Sequence, residues 1–197
     1  MPRAKSYDPD AVVQEAMQLF WSEGFETTSI PRLEKHLGIN RFGIYDSFES
    51  KRNLFLRALD VYTSMLIGDL VEPLETGTGG LSDLEDFLAR FEQLFVDQKA
   101  ARGCLICNTA TEFGHRDEEI ADRVITYFAR VETAVFNCLS RARELCEVKG
   151  DERALRDRAR VARACLQGVL MDLRLGRSKP ETMRTISAVT SCVVGNN

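Results

Sequence analysis

Several things are missing or scarce in this 197-residue sequence. No stretch reaches the roughly 18 consecutive apolar residues of a membrane-spanning helix, and the opening MPRAKSYDPD lacks the apolar core of a secretion signal. The expectation is a cytoplasmic chain with no membrane partner. Short alternating apolar runs bounded by turn residues are absent too, which excludes a strand-based fold. Positive charge is not in excess: 26 Lys and Arg face 30 Asp and Glu, a net charge of -4. That total argues against a surface that attracts nucleic acid over its whole extent and leaves room for a local basic patch. There are only two histidines, and no cysteine precedes residue 104. With one C-x-x-C and only His115 near it, a zinc site has poor support, and neither metal nor cofactor is expected.

The remainder describes an ordinary globular chain, 44% hydrophobic and 28% charged, long enough to bury a core without disulfides. The six cysteines (104, 107, 138, 146, 165 and 192) lie mostly in helical text, as reduced and mostly buried small hydrophobes. Apolar spacing reads as helix almost throughout, so the fold class is all-α with about nine helices. Asp8 caps a first helix that Gly24 ends, and Thr27-Thr28-Ser29 open a second that Gly38 ends. Asn40 caps a third, which runs to about Asp46 or Ser47. Two short helices around a tight Gly turn make a helix-turn-helix. A long fourth helix from Ser50 is broken by Pro73 and ETGTGG, residues 75 to 80. Five more follow: one around Phe87 and Phe91, one within 104 to 113, one from about Asp117, one along Leu155 to Leu173, and one from Pro180 toward Val194. The division expected is a helix-turn-helix unit at 1–50 and a second helical unit at 51–197.

Charge is segregated along the chain. Residues 1 to 5 carry +2, residues 6 to 31 carry -5 and residues 32 to 57 carry +3, so the remaining 140 residues hold the whole -4. The basic groups cluster in the tail and around the helix-turn-helix. Within it, Ile30, Leu33, Leu37, Ile39, Ile44 and Phe48 have the spacing to pack inward. Arg41, Phe42, Gly43, Tyr45, Asp46 and Ser47 are then left for a groove. Arg41 suits guanine O6 and N7, Phe42 a thymine methyl, and Gly43 a close backbone approach. Thr28, Tyr45 and Lys51 suit phosphates.

The segment TTSIPRLEKHLGINRFGIYDSFESKRNLF, 27 to 55, resembles the DNA-binding segment of TetR-family transcriptional regulators in Thr28, Leu37-Gly38-Ile39, Ile44-Tyr45, Phe48 and Lys51. It departs from the common pattern at Phe42, where most members carry Gly, and at Asp46-Ser47. RGCLICNTATEF, 102 to 113, is similar to ligand-domain text of one branch of that family. The resemblance implies a repressor that binds a pseudo-palindromic double-stranded DNA operator as a homodimer and is released by a small-molecule effector.

The family's ligand domain implies an effector pocket here among Phe87, Phe91, Phe95, Phe113, Tyr127 and Phe128, with Asn108 and Thr111 as polar handles and Cys104 and Cys107 in the lining. Most of those rings also read simply as core. The thiol pair admits three readings: packing or pocket lining, a regulatory thiol at a helix N-terminus, or a redox enzyme similar to alkylhydroperoxidase-type disulfide reductases. Such reductases carry C-x-x-C-x-x-x-H, and Thr111 stands at the histidine position. The stripe Leu155, Ala159, Ala162, Leu166, Val169, Leu173 fits 3-4 helix packing, either as a seam between subunits or against the preceding helix. For the dimer the resemblance implies, Leu166, Val169 and Leu173 are the interface residues, with Arg156, Arg160 and Arg163 flanking the seam.

Overall fold

The computed structural model describes residues 7–96 and 102–194, so the basic residues Arg3 and Lys5 lie outside it. Among the described residues there is no strand, and ten α-helical segments form nine rods. The helix-turn-helix end holds α1 (Pro9–Glu23), α2 (Ile30–Leu37) and α3 (Arg41–Phe48). The next rod is continuous from α4 (Lys51–Leu66) through a π-helical turn (Ile67–Val71) into the short α5 (Glu72–Thr76). Then come α6 (Leu81–Phe91), which runs on into a second π turn (Glu92–Val96), α7 (Leu105–Phe113), α8 (Glu118–Glu144), α9 (Glu152–Arg174) and α10 (Lys179–Val194).

Helix starts follow the capping residues in the text. Asp8, Ser29, Asn40, Ser50, Asp117 and Asp151 each accept a backbone N–H from the first turn that follows, satisfying an amide with no partner inside the helix. Gly38 adopts φ 67°, a left-handed conformation that glycine reaches without steric cost, and so turns the chain from α2 into α3.

The core is continuous through both ends of the molecule. α1 lies along α4, α9 packs between α8 and α10, and α7 bridges α1 and α4 to α8 and α9. Where the ends meet, Phe55 sits edge-on to Phe20 at 5.1 Å and stacks on Phe113 at 5.4 Å, while Phe25 lies 5.1 Å from both Phe55 and Phe113. Phe113 is therefore a keystone of the junction. Trp21 meets Tyr62 at 5.0 Å and donates its indole N–H to the Gly103 carbonyl at 3.0 Å.

A charged clamp joins the same two parts. Arg52 makes a two-pronged contact to Asp117, at 2.7 and 2.8 Å, and a third bond to Glu119 at 2.8 Å. Hydrogen bonds from Arg52 hold the Asp117 and Glu119 carboxyls below the usual carboxylate range. Carboxyls more acidic folded than unfolded add stability that is complete above their unfolded pKa of about 4 and is lost as pH falls through the folded value. The melting temperature of the protein should therefore decline below about pH 4. An Arg52→Gln variant should melt lower at pH 7 and decline less steeply in acid. Equal acid slopes in the two proteins would acquit this clamp.

Candidate nucleic-acid interface and ligand cavity

The recognition surface is one face of α3. Ile44 and Phe48 are buried beneath it, on Leu33 of α2 and the α1–α4 core. Opposite them, Arg41, Phe42, Tyr45 and Asp46 are exposed, Phe42 to 78% and Tyr45 to 40%. Their spacing of three and four residues makes them neighbours on a single face. Asn40 fixes the helix start through a 2.9 Å bond from the Gly43 N–H. Glu34 of α2 accepts the Arg41 backbone N–H, which ties the two helices together.

Tyr7, ahead of α1, adds a tie that sequence reasoning missed. Its hydroxyl donates to the Gly43 carbonyl at 2.8 Å and lies 2.7 Å from the Ser47 hydroxyl. A Cβ at position 43 would stand 3.1 Å from that hydroxyl, so the glycine admits Tyr7 closely. Ser47 and Gly43 are accordingly half-buried at the margin of the face.

Two expected phosphate contacts stand differently. Ser29, not Thr28, caps α2; Thr28 is fully buried and donates its hydroxyl to the Gly24 carbonyl at 2.5 Å. Lys51 turns inward: its ammonium donates to the carbonyls of Phe25 (2.9 Å) and Thr28 (3.1 Å) and lies 4.0 Å from the centre of the Phe25 ring. Both residues shape the α1–α2 turn. From the other end of the molecule Glu112 of α7 accepts the N–H groups of Phe25 (3.0 Å) and Glu26 (2.6 Å). That turn is thus held from α4 and from α7 at once. Nothing local in the sequence signals Glu112, which lies more than eighty residues away.

An apolar cavity lies between the two π turns, α6, α8 and α9. Phe87, Phe91, Phe95, Tyr127 and Phe128 line it with aliphatic neighbours, and Arg163 and Gln167 are its polar members. Its free volume is about 20 Å³. Five of the expected effector residues, Phe87, Phe91, Phe95, Tyr127 and Phe128, meet here. The other five do not line it. Phe113 belongs to the junction stack, Asn108 donates to the Arg102 carbonyl at 3.0 Å, and Thr111 is exposed and donates to the Cys107 carbonyl at 3.1 Å. Local helix bonds of this kind satisfy a hydroxyl without any ligand.

Cys104 caps α7 and is buried with Cys107 beside the rings of Tyr62 and Tyr127, behind the cavity wall. Burial opposes ionisation of Cys104. Hydrogen bonds from the Cys107 thiol and from backbone N–H groups of the first turn outweigh it and bring the Cys104 pKa down. The same thiol–thiol bond, with burial, pushes Cys107 up. The Tyr62 hydroxyl lies near Cys104 without a well-formed bond, and burial raises its pKa. All six cysteines are free thiols, and the described residues hold no group of three or more His, Cys, Asp or Glu side chains arranged for a metal.

The expected interface residues are also displaced. Leu166, Val169 and Leu173 are buried within the subunit, against α8 and α10. The flanking arginines pair inside the chain: Arg156 with Glu152, Arg160 and Arg163 with Glu132. The opposite face of α9 is exposed and carries Val161 (48%), Ala164, Gly168, Met171 (41%) and Leu175 (76%), at steps of three, four, three and four. Among the described residues no helix is long and apolar enough to cross a membrane.

The sequence matches two family models: bacterial regulatory proteins of the tetR family over residues 12–58, and the tetracyclin repressor-like C-terminal domain over residues 80–189. It is 31% identical over 152 residues to the uncharacterized HTH-type transcriptional regulator YezE of Bacillus subtilis (strain 168), spanning 77% of this chain and 78% of that one. It is 28% identical over 185 residues to the HTH-type transcriptional repressor ComR of Escherichia coli (strain K12), spanning 92% and 87%. The fold is similar to that of a cysteine mutant of the TetR family transcriptional regulator CifR, solved with a 26-base-pair double-stranded operator. The TM-score there is 0.83 at 19% identity, covering 95% of this chain and 97% of that one. With both family models matched, and the helix-turn-helix and helical body each in place, the chain belongs to the tetR family of bacterial regulatory proteins, DNA-binding transcriptional regulators.

Proposed function

We propose that the chain is a repressor that binds a pseudo-palindromic operator as a two-fold dimer and lets go when a small molecule enters the apolar cavity. The exposed face of α3 carries this reading. Arg41, with no side-chain partner among the described residues, reads a guanine; Phe42 covers a thymine methyl; Tyr45 reaches a phosphate; Asp46 borders the groove contact. Gly43 and Ser47 sit at the margin, positioned through Tyr7. Residues 1–50 form the DNA-binding head and 51–197 the body, with the first turns of α4 packed into both. The operator-bound structure of CifR and the repressor ComR support the same assignment by similarity.

The dimer seam is the outward face of α9. Val161, Ala164, Gly168, Met171 and Leu175 keep the alternation of three and four that closely packed helices share, and two small residues let backbones approach. Pairing two subunits about this seam sets two α3 helices in successive major grooves, roughly 34 Å apart. The effector acts by binding the DNA-incompetent arrangement more tightly than the competent one. The C-x-x-C pair takes no catalytic part: the histidine of the reductase pattern is replaced by Thr111, whose hydroxyl donates to the Cys107 carbonyl of its own helix.

Selection of bound fragments from genomic DNA tests the reading directly. The parent should enrich an inverted repeat. Arg41→Ala should relax preference at one position per half-site, at a cost of about 1–3 kcal/mol. An Arg41→Ala/Tyr45→Ala double variant that binds the selected operator like the parent would overturn the assignment of α3.

A further inference from the structure

The aromatic cavity has walls of unusual construction. Leu70 comes from the π turn Ile67–Val71, and Phe95 from the π turn Glu92–Val96. The first has a local cause, since Pro73 follows it at the start of α5 and brings no N–H to the helix ladder. The second, EQLFV, contains neither proline nor glycine, so no local residue forces it. π turns in α-helices concentrate at functional sites, and this one places Phe95 5.0 Å from Phe91. Across the cavity Tyr127 and Phe128 are 5.3 Å apart and set edge to face. The free space between the walls is about the size of one water. A ligand entering here has to part rings, and a flat ring slides between them with the least displacement.

The polar side of the cavity is just as restricted. Among the described residues Arg163 is the only charged one in the lining, and Gln167 lies one turn beyond it on α9. Arg163 spends its Nε on Glu132 at 3.0 Å and Nη1 on Gln167 at 2.5 Å. Nη2 has no partner among the described residues. Glu132 is shared, because Arg160 also bonds it at 3.2 Å, with Asp157 reaching Arg160 from the solvent side. Arg163 thus lines the cavity with one guanidinium nitrogen left without a partner among the described residues. A carboxylate matches a guanidinium in shape and charge, an alcohol offers it one neutral bond, and an ammonium has no bond to make with it.

We propose that the ligand of this cavity is an aryl monocarboxylate, its flat apolar ring held among Phe91, Phe95, Tyr127 and Phe128 and its carboxylate on Arg163. The inference rests on the reading of this cavity as the effector site. It adds the chemical class.

Calorimetric titration of the full chain with three probes of one shape tests it: 3-phenylpropionate, 3-phenylpropan-1-ol and 3-phenylpropylamine. The carboxylate should bind about 10- to 100-fold more tightly than the alcohol, the range expected for a charge-assisted bond, and the amine should bind most weakly. In Arg163→Met the carboxylate preference should vanish while the alcohol still binds. In Glu132→Gln, which frees the guanidinium without removing it, the preference should persist or grow. Retained operator binding by each variant shows that it is folded. Failure of the carboxylate to bind, equal binding of the three probes, or a preference that survives Arg163→Met overturns the proposal. Selective carboxylate binding that leaves operator affinity unchanged would uphold the ligand class and overturn only the reading of the cavity as the effector site.

Discussion

Replacing Ala164 by Glu on the exposed face of α9 should convert the protein to monomers and abolish operator binding at concentrations where the parent saturates. The residue lies in the proposed seam between Val161 and Gly168, where a second helix would have to approach closely. A carboxylate there would have to be desolvated against its own symmetry mate, two like charges brought together without partners. The monomer itself loses nothing, since position 164 is solvent-exposed in the subunit. Leu166→Ala should behave in the opposite way. Leu166 is only 5% exposed and packs into the interior, so its truncation should cost about 2–5 kcal/mol of folding stability and leave the dimer intact. Light scattering and thermal melting on the two variants separate the faces. A dimeric Ala164→Glu protein would return the interface to another surface.

That contrast shows what the sequence made legible. Helix positions were readable because six of the starts carry a side chain that satisfies an orphan amide, as Asn40 and Asp151 do, and the apolar stripes repeat at helical spacing. The face of α3 was readable for the same reason: Ile44 and Phe48 point inward and leave Arg41, Phe42, Tyr45 and Asp46 outside. On α9 the more apolar of two stripes, Leu155 through Leu173, is the conspicuous one, yet it serves the subunit's own core. The weaker series of Val161, Ala164, Gly168, Met171 and Leu175 is what remains for a partner. The aromatic half of the cavity was likewise visible from Phe87, Phe91, Tyr127 and Phe128. Its polar half was not, since Asn108 and Thr111 are satisfied within their own segment while Arg163, a flank of the expected seam, lines the cavity. The π turns and the reach of Glu112 depend on packing between distant segments, which no local pattern encodes.

The α1–α2 turn yields the second large effect. Lys51→Met should lower operator affinity about 10- to 100-fold without changing how steeply binding falls with salt. Lys51 supplies two charge-assisted bonds to the carbonyls of Phe25 and Thr28 and covers the Phe25 ring. Bonds of that kind are worth about 1.5–3 kcal/mol each, so the turn that leads into α2 should loosen and carry α3 off its register. The melting temperature should fall by several degrees, since about 1 kcal/mol corresponds to roughly 2–4 °C in a chain of this size. A lysine that instead touched a phosphate would reveal itself differently. Removing one cation from the phosphate backbone reduces the slope of log affinity against log salt by about 0.9, with little change in melting. Glu112→Ala, which frees the Phe25 and Glu26 amides on the other side of the turn, should resemble Lys51→Met in all three readouts. The double variant should cost less than the sum of the two, because both side chains hold the same few residues in place. Strict additivity, or a salt slope that drops in Lys51→Met alone, would put Lys51 on the DNA instead.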